Sequence, residues 1–220
     1  MKTLSITLFL TLISLISFAQ ENKANQQHLT FKGIAIDGRL NDFVAKLKTN
    51  GFTFLGTEEG ITMLQGDFAS YKNCLVAVST LKQKDLVSKI SVIFQEKKNW
   101  ASLSNNYFSL KELLIEKYGE PSAVVEEFQT RMQPNDDQMK MLYVNTDQCK
   151  YYTFFETEKG DIELSITKTG SDGCVILRYF DKINGETIRK DGWPVAQPRL
   201  TRRPSARMIT SLPSIVYLST

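Results

Sequence analysis

The sequence predicts an α+β fold: an antiparallel sheet with two helices on one face, built as two helix-then-three-or-four-strand halves. Three observations predict it. Two segments, centred near residues 44 and 110, carry apolar residues at helical spacing, and each ends at a glycine. Runs of alternating apolar and polar residues follow each helix in series, not singly between helices. Short turn-like stretches separate those runs, and those at Lys159-Gly160 and 171–173 supply hairpin turn chemistry.

Taken in order, Met1 and Lys2 lead into an apolar run at 4–18, with small residues at Ser17 and Ala19 ahead of a polar stretch. This reads as a signal peptide over 1–19, cleaved to leave Gln20 first, and the run is shorter than the ~18 residues of a membrane-spanning helix. No cysteine follows it, so no lipoprotein anchor is indicated, and a periplasmic or secreted protein without a membrane span is expected. A polar leader fills 20–27.

Residues 28–36 read as extended, and Asp37 with Gly38 punctuates them, Asp37 being a candidate helix cap. Leu40, Phe43, Val44 and Leu47 make one apolar stripe on a helix over 39–50, and Gly51 stops it. Strands are expected at 52–55 and 61–65 around a turn at 57–60, then at 71–81 and 86–95 around a polar turn at 82–85. In the last of these, Leu86, Ser88, Ile90, Val92 and Phe94 form the better core face, with Val87, Lys89, Ser91 and Ile93 opposite. Leu103, Tyr107, Leu110, Leu113 and Leu114 then predict a helix over 102–118, ended by Gly119 and Pro121. A strand at 122–128 precedes a polar loop at 129–138 containing Pro134. Strands at 150–157, 161–169 and 173–181 close the body, and Ile162, Leu164 and Ile166 against Glu163, Ser165 and Thr167 give the cleanest alternation.

One domain is thus expected over 28–185, with halves 28–98 and 99–185, followed by a basic, proline- and arginine-rich tail over 186–220 that should be disordered. The tail holds six basic residues against Glu186 and Asp191, a net +4. Since the whole chain is +3 and Lys2 belongs to the leader, residues 20–185 carry −2. A nucleic-acid groove needs clustered positive charge on the folded body, so no nucleic-acid partner is expected.

Catalytic resources are thin. The one histidine, His28, sits beside the polar leader, where a solvated side chain is expected rather than a base held in a triad. Cys74, Cys149 and Cys174 show no zinc spacing and read as buried small hydrophobes; one disulfide among them is permitted, and spacing does not choose a pair. The acid pairs Glu58 and Glu59, Glu126 and Glu127, and Asp136 and Asp137 are adjacent in sequence, so their side chains diverge on a strand. No calcium loop or glycine-rich phosphate loop occurs, and no catalytic residue, metal or cofactor is expected. Aromatics are plentiful: Tyr151, Tyr152, Phe154 and Phe155 on one strand and Tyr179 on another put rings on both sheet faces. One face is core, and the other is a candidate binding surface.

The segments FKGIAIDG at 31–38, KQKDLVSKI at 82–90, YFSLKEL at 107–113, KYG at 117–119 and CKYY at 149–152 resemble an uncharacterised family of secreted or periplasmic Bacteroidetes proteins. The resemblance covers roughly 28–184 and implies no activity; the family ends near residue 184, so the tail is a departure from it. The expected function is a secreted, non-enzymatic binding module for a protein or glycan of the cell envelope or beyond it. The alternatives are a carboxylate-dependent hydrolase of cell-wall or polysaccharide material and an envelope assembly accessory.

Overall fold

The computed structural model describes residues 27–81, 84–169 and 172–190. The expected signal peptide, most of the leader and the tail beyond Lys190 lie outside the described residues. A small hairpin, β1 (Thr30–Phe31) and β2 (Ile34–Ala35), leads into helix α1 (Leu40–Thr49). Four strands follow: β3 (Thr53–Glu58), β4 (Ile61–Phe68), β5 (Tyr71–Leu81) and β6 (Leu86–Ile93). Helix α2 (Trp100–Tyr118) opens the second half, which continues with β7 (Ala123–Phe128), helix α3 (Asp137–Asn145), β8 (Cys149–Glu156), β9 (Gly160–Thr169) and β10 (Asp172–Asp181). Helix α4 (Lys182–Lys190) comes last.

The large strands form one eight-stranded antiparallel sheet in the order β3-β4-β5-β6-β10-β9-β8-β7. Each half is a four-strand meander, and the two meet where β6 pairs antiparallel with β10. The mixed α+β class holds, but with four helices among the described residues where two were expected. The loop expected at 129–138 ends in the first turn of α3, and α4 crosses the boundary expected at 185/186, so folded chain continues to Lys190.

Helix ends show why each forms where it does. Asn99 caps α2 by accepting from the Ser102 amide at 2.8 Å, and Asp136 caps α3 by accepting from Met139 at 2.8 Å. No side chain of its own caps α1; Asp85, from the β5–β6 turn, accepts the Leu40 amide at 3.2 Å. Gly51 and Gly119 sit at φ +87° and +83°, where a side chain would be strained, and each ends a helix.

The core is one buried cluster spanning both halves. Phe43, Val44 and Leu47 of α1 join Val76, Val78, Ile90 and Val92 of the first meander. Leu103, Tyr107, Leu110 and Leu114 of α2, with Met141 and Val144 of α3, join Ile162, Leu164, Val175 and Leu177 of the second. Gly173 lets α2 and α3 come close to β10: a Cβ there would lie 2.5 Å from Leu103 and 2.9 Å from Val144. Burial at this scale, ~1.5–3 kcal/mol per large apolar side chain, is the main force holding the helices on the sheet.

Candidate functional site

Helices α2 and α3 pack over one face of the sheet, and the pairing register shows what the opposite face carries among the described residues. Tyr107 hydroxyl meets Thr153 at 2.6 Å, and Leu103 and Val144 meet Gly173, so α2 and α3 lie over the face of Thr153 and Gly173. Residues one step along each strand point away from them. The middle row of that opposite face runs Met63, Ala77, Ser91, Arg178, Glu163 and Phe154 across β4, β5, β6, β10, β9 and β8. On one side of it lie Leu75, Ile93, Ile176, Ser165 and Tyr152. On the other lie Ile61, Ser79, Lys89, Phe180, Asp161 and Glu156. Phe154, Cys174 and Ile176 are buried yet stand apart from the main core cluster, as side chains on a second face must.

Charge is concentrated at the centre of this face. Arg178 donates from Nη1 to Glu163 Oε1 at 2.7 Å and to Ser165 Oγ at 2.8 Å. Lys89, half-buried on the neighbouring strand, has its ammonium pulled below its ordinary value by burial and then by Arg178, with Glu163 opposing. Among the described residues no acceptor holds that ammonium. At the corner of the face, Asp161 and Glu156 are direct cross-strand neighbours, and burial, then Glu156, raises the Asp161 carboxyl, with Lys182 opposing.

The expected aromatic surface divides. Tyr152 and Phe154 lie on the uncovered face, Tyr152 half-buried and Phe154 only 7% exposed. The other three rings are a correction: they face the helices. Phe155 is 1% and Tyr179 3% exposed, while Tyr151 packs against Trp100, Tyr107 and Phe128. Strand β8 carries two rings on each face, Tyr151 and Phe155 on one and Tyr152 and Phe154 on the other, so alternation alone did not say which rings point where. The sequence reading also passed over Arg178, Glu163 and Lys89; their one signal was charge in the middle of otherwise apolar strands.

His28 is the second correction. It is not a solvated leader residue: Nδ1 lies 3.0 Å from Asp181 Oδ1 and Nε2 3.3 Å from Asp37 Oδ2. The Asp181 side chain is fully buried and also accepts the amides of Leu29 and Asn184, each at 2.8 Å. Asn184 Nδ2 in turn donates to the carbonyls of Ile36 and Val87 and to Asp37. The imidazole is thus held and oriented, but both its nitrogens face carboxylates rather than a hydroxyl or thiol. The arrangement ties the N-terminal segment, β6 and α4 together and supplies no nucleophile.

All three cysteines are buried free thiols. Burial pushes Cys149 up to about 12 and Cys174 up to about 11, and Cys74 also moves up, so none is a ready thiolate. Among the described residues no group of three or more histidine, cysteine, aspartate or glutamate side chains is placed to hold a metal ion, and no helix is long and apolar enough to cross a membrane. No protein-family model, curated protein or solved structure matches the chain.

Proposed function

We propose that this is a secreted binding module which recognises a protein or surface glycan with the face of its sheet opposite α2 and α3. One observation supports the reading above the others: α2 and α3 pack over one face of an eight-stranded sheet, and among the described residues no helix is seen to cross the middle of the other, which carries half-buried Leu75, Ile93 and Tyr152 around a central charged pair. Interfaces combine features of this kind, apolar area with aromatic anchors and arginine. The test is to substitute Tyr152→Ser and measure retention of envelope proteins and of arrayed glycans by the immobilised protein, alongside thermal melting. Binding is expected to fall at least tenfold with melting nearly unchanged, since exposed aromatic anchors contribute about 2 kcal/mol or more when truncated. Unchanged binding to every retained ligand refutes the reading.

A hydrolase is the second reading, and the Asp161–Glu156 pair favours it: two facing carboxyls, one of them raised, are what glycoside hydrolysis uses. Turnover of a cell-wall or polysaccharide substrate that disappears in both Asp161→Asn and Glu156→Gln would establish that reading over the first. Envelope assembly remains a third role, distinguished by a stable complex with an envelope protein.

A further inference from the structure

We propose that the uncovered face docks an acidic loop of a protein partner, with a partner carboxylate seated between Lys89 and Arg178. This rests on the binding-face reading above and adds the chemistry of the occupant.

The charge balance at the centre of the face carries it. Lys89 and Arg178 bring two positive charges together on adjacent strands, and Glu163 supplies one negative charge, already taken by Arg178 Nη1. Among the described residues the Lys89 ammonium has no acceptor, and the remaining nitrogens of Arg178 have none either. Lys89 therefore shares with Arg178 the single negative charge of Glu163 and has no hydrogen-bonded carboxylate of its own among the described residues. Two half-buried cations on one anion are costly in the free protein, and a carboxylate arriving with a partner relieves that cost. A carboxylate also suits the planar fork that the free edge of the guanidinium offers.

The surroundings favour a protein over a sugar. Beside Arg178 the half-buried side chains of Leu75 and Ile93 are aliphatic, Ile176 between the strands being buried, and Met63 lies at the far end of the middle row. Sugar rings stack on exposed planar aromatics; here Phe154 is almost covered and Tyr152 and Phe180 are both half-buried, so no ring on this face lies open as a stacking platform. A polyanionic chain laid across the face would meet Asp161 and Glu156 at its corner. A single carboxylate flanked by apolar side chains fits the centre and avoids that corner. The dimensions also suit a protein: eight strands span about 34 Å, near the width of a standard interface.

The test uses a random cyclic peptide library displayed on phage, panned against the full chain. Selected peptides are then titrated by fluorescence polarisation against the parent, Lys89→Met and Tyr152→Ser. Lys89→Met keeps the apolar stem and removes the charge, so melting should be retained. The expected result is peptides enriched in Asp or Glu beside apolar residues, weakened at least tenfold by Lys89→Met. Replacing the peptide's Asp by Asn should weaken binding to the parent equally, which keeps the test decisive even if Lys89→Met folds poorly. Peptides lost on Tyr152→Ser but lacking acidic bias, and within twofold on Lys89→Met, overturn this inference and leave the binding face standing. Tyr152-dependent binding of a neutral oligosaccharide without any acidic peptide does the same. Peptides indifferent to both substitutions, or no selected peptides and no Tyr152-dependent ligand of any kind, overturn both.

Discussion

Replacing His28 with Ala should destabilise the fold by about 1.5–3 kcal/mol, the range for a hydrogen bond to a charged group. The size of the loss is set by the donors Asp181 keeps. Its carboxylate is fully buried and has three donors: the His28 ring at 3.0 Å and the amides of Leu29 and Asn184 at 2.8 Å. Removing the imidazole leaves both amides in place, so the loss stays below the ~3–5 kcal/mol of a buried charge stripped of its partner. The contact from Nε2 to Asp37 is 3.3 Å and that carboxylate is half-exposed, so it adds little. In a body of this size about 2 kcal/mol lowers the melting temperature by roughly 4–8 °C. Circular dichroism melts of parent and variant measure it. Asp181→Ala should cost more, because two buried amides then lose their acceptor together. Melting of His28→Ala within 1 °C of the parent, or a milder effect of Asp181→Ala than of His28→Ala, would refute the reasoning. Ligand binding at the uncovered face should survive in His28→Ala below its melting point, because the latch lies among β10's end, α4 and the N-terminal segment rather than on that face.

Two other outcomes follow from the packing and from the acid corner. Gly173→Ala pushes a methyl against Leu103 and Val144, so it should cost ~1–3 kcal/mol through overpacking, read as a melting shift of several degrees; an unchanged melting temperature would show that α2 and α3 yield freely. Asp161→Asn should stabilise the protein at pH 7 by ~0.2–1 kcal/mol, the range for relieving directly opposed like charges. The sign is set by the raised folded carboxyl: the fold holds that proton more tightly than the unfolded chain, so stability is lost as pH rises from the ordinary carboxylate value of about 3.9 through the folded value. The gain should therefore vanish below that ordinary value, and an equal gain in melts at pH 3 and pH 7 would contradict the assignment.

The sequence showed most of the fold because its local signals agreed with the final packing. The stripe of Phe43, Val44 and Leu47 is buried as its spacing implies, and Ile162, Leu164 and Ile166 face the helices. What escaped it was made by contacts distant in sequence or by weak stripes. Helix α3 buries only Met141 and Val144 over nine residues, and its start lies behind Pro134 in a polar stretch. Helix α4 is anchored by the Asn184 side chain on three acceptors, a bond pattern with no periodicity to read. Val87, expected opposite Ile90, is fully buried with it because the β5–β6 register shifts between Ser79 and Thr80. The His28–Asp181 contact joins residues 153 apart, which no local pattern announces.

The same division explains why the candidate face was harder to read than the core. A core face is recognised by uniform apolarity, and any strand that breaks the pattern is discounted as solvated. Arg178, Glu163 and Lys89 break it in the centre of the sheet, on β6, β9 and β10, the strands with neighbours on both sides. Charges at a sheet margin reach water freely and need no explanation. These three are only partly exposed; Arg178 and Glu163 form the ion pair, and Lys89 shares that one carboxylate's charge without a hydrogen bond to it. Stability alone would favour apolar residues there, since a half-buried ion pair seldom outperforms well-packed hydrophobic side chains. The cost of holding the odd cation falls on the free protein, and an incoming carboxylate removes it. That asymmetry between free and bound states is the physical ground for treating the centre of the sheet, rather than its aromatic rim, as the place where specificity resides.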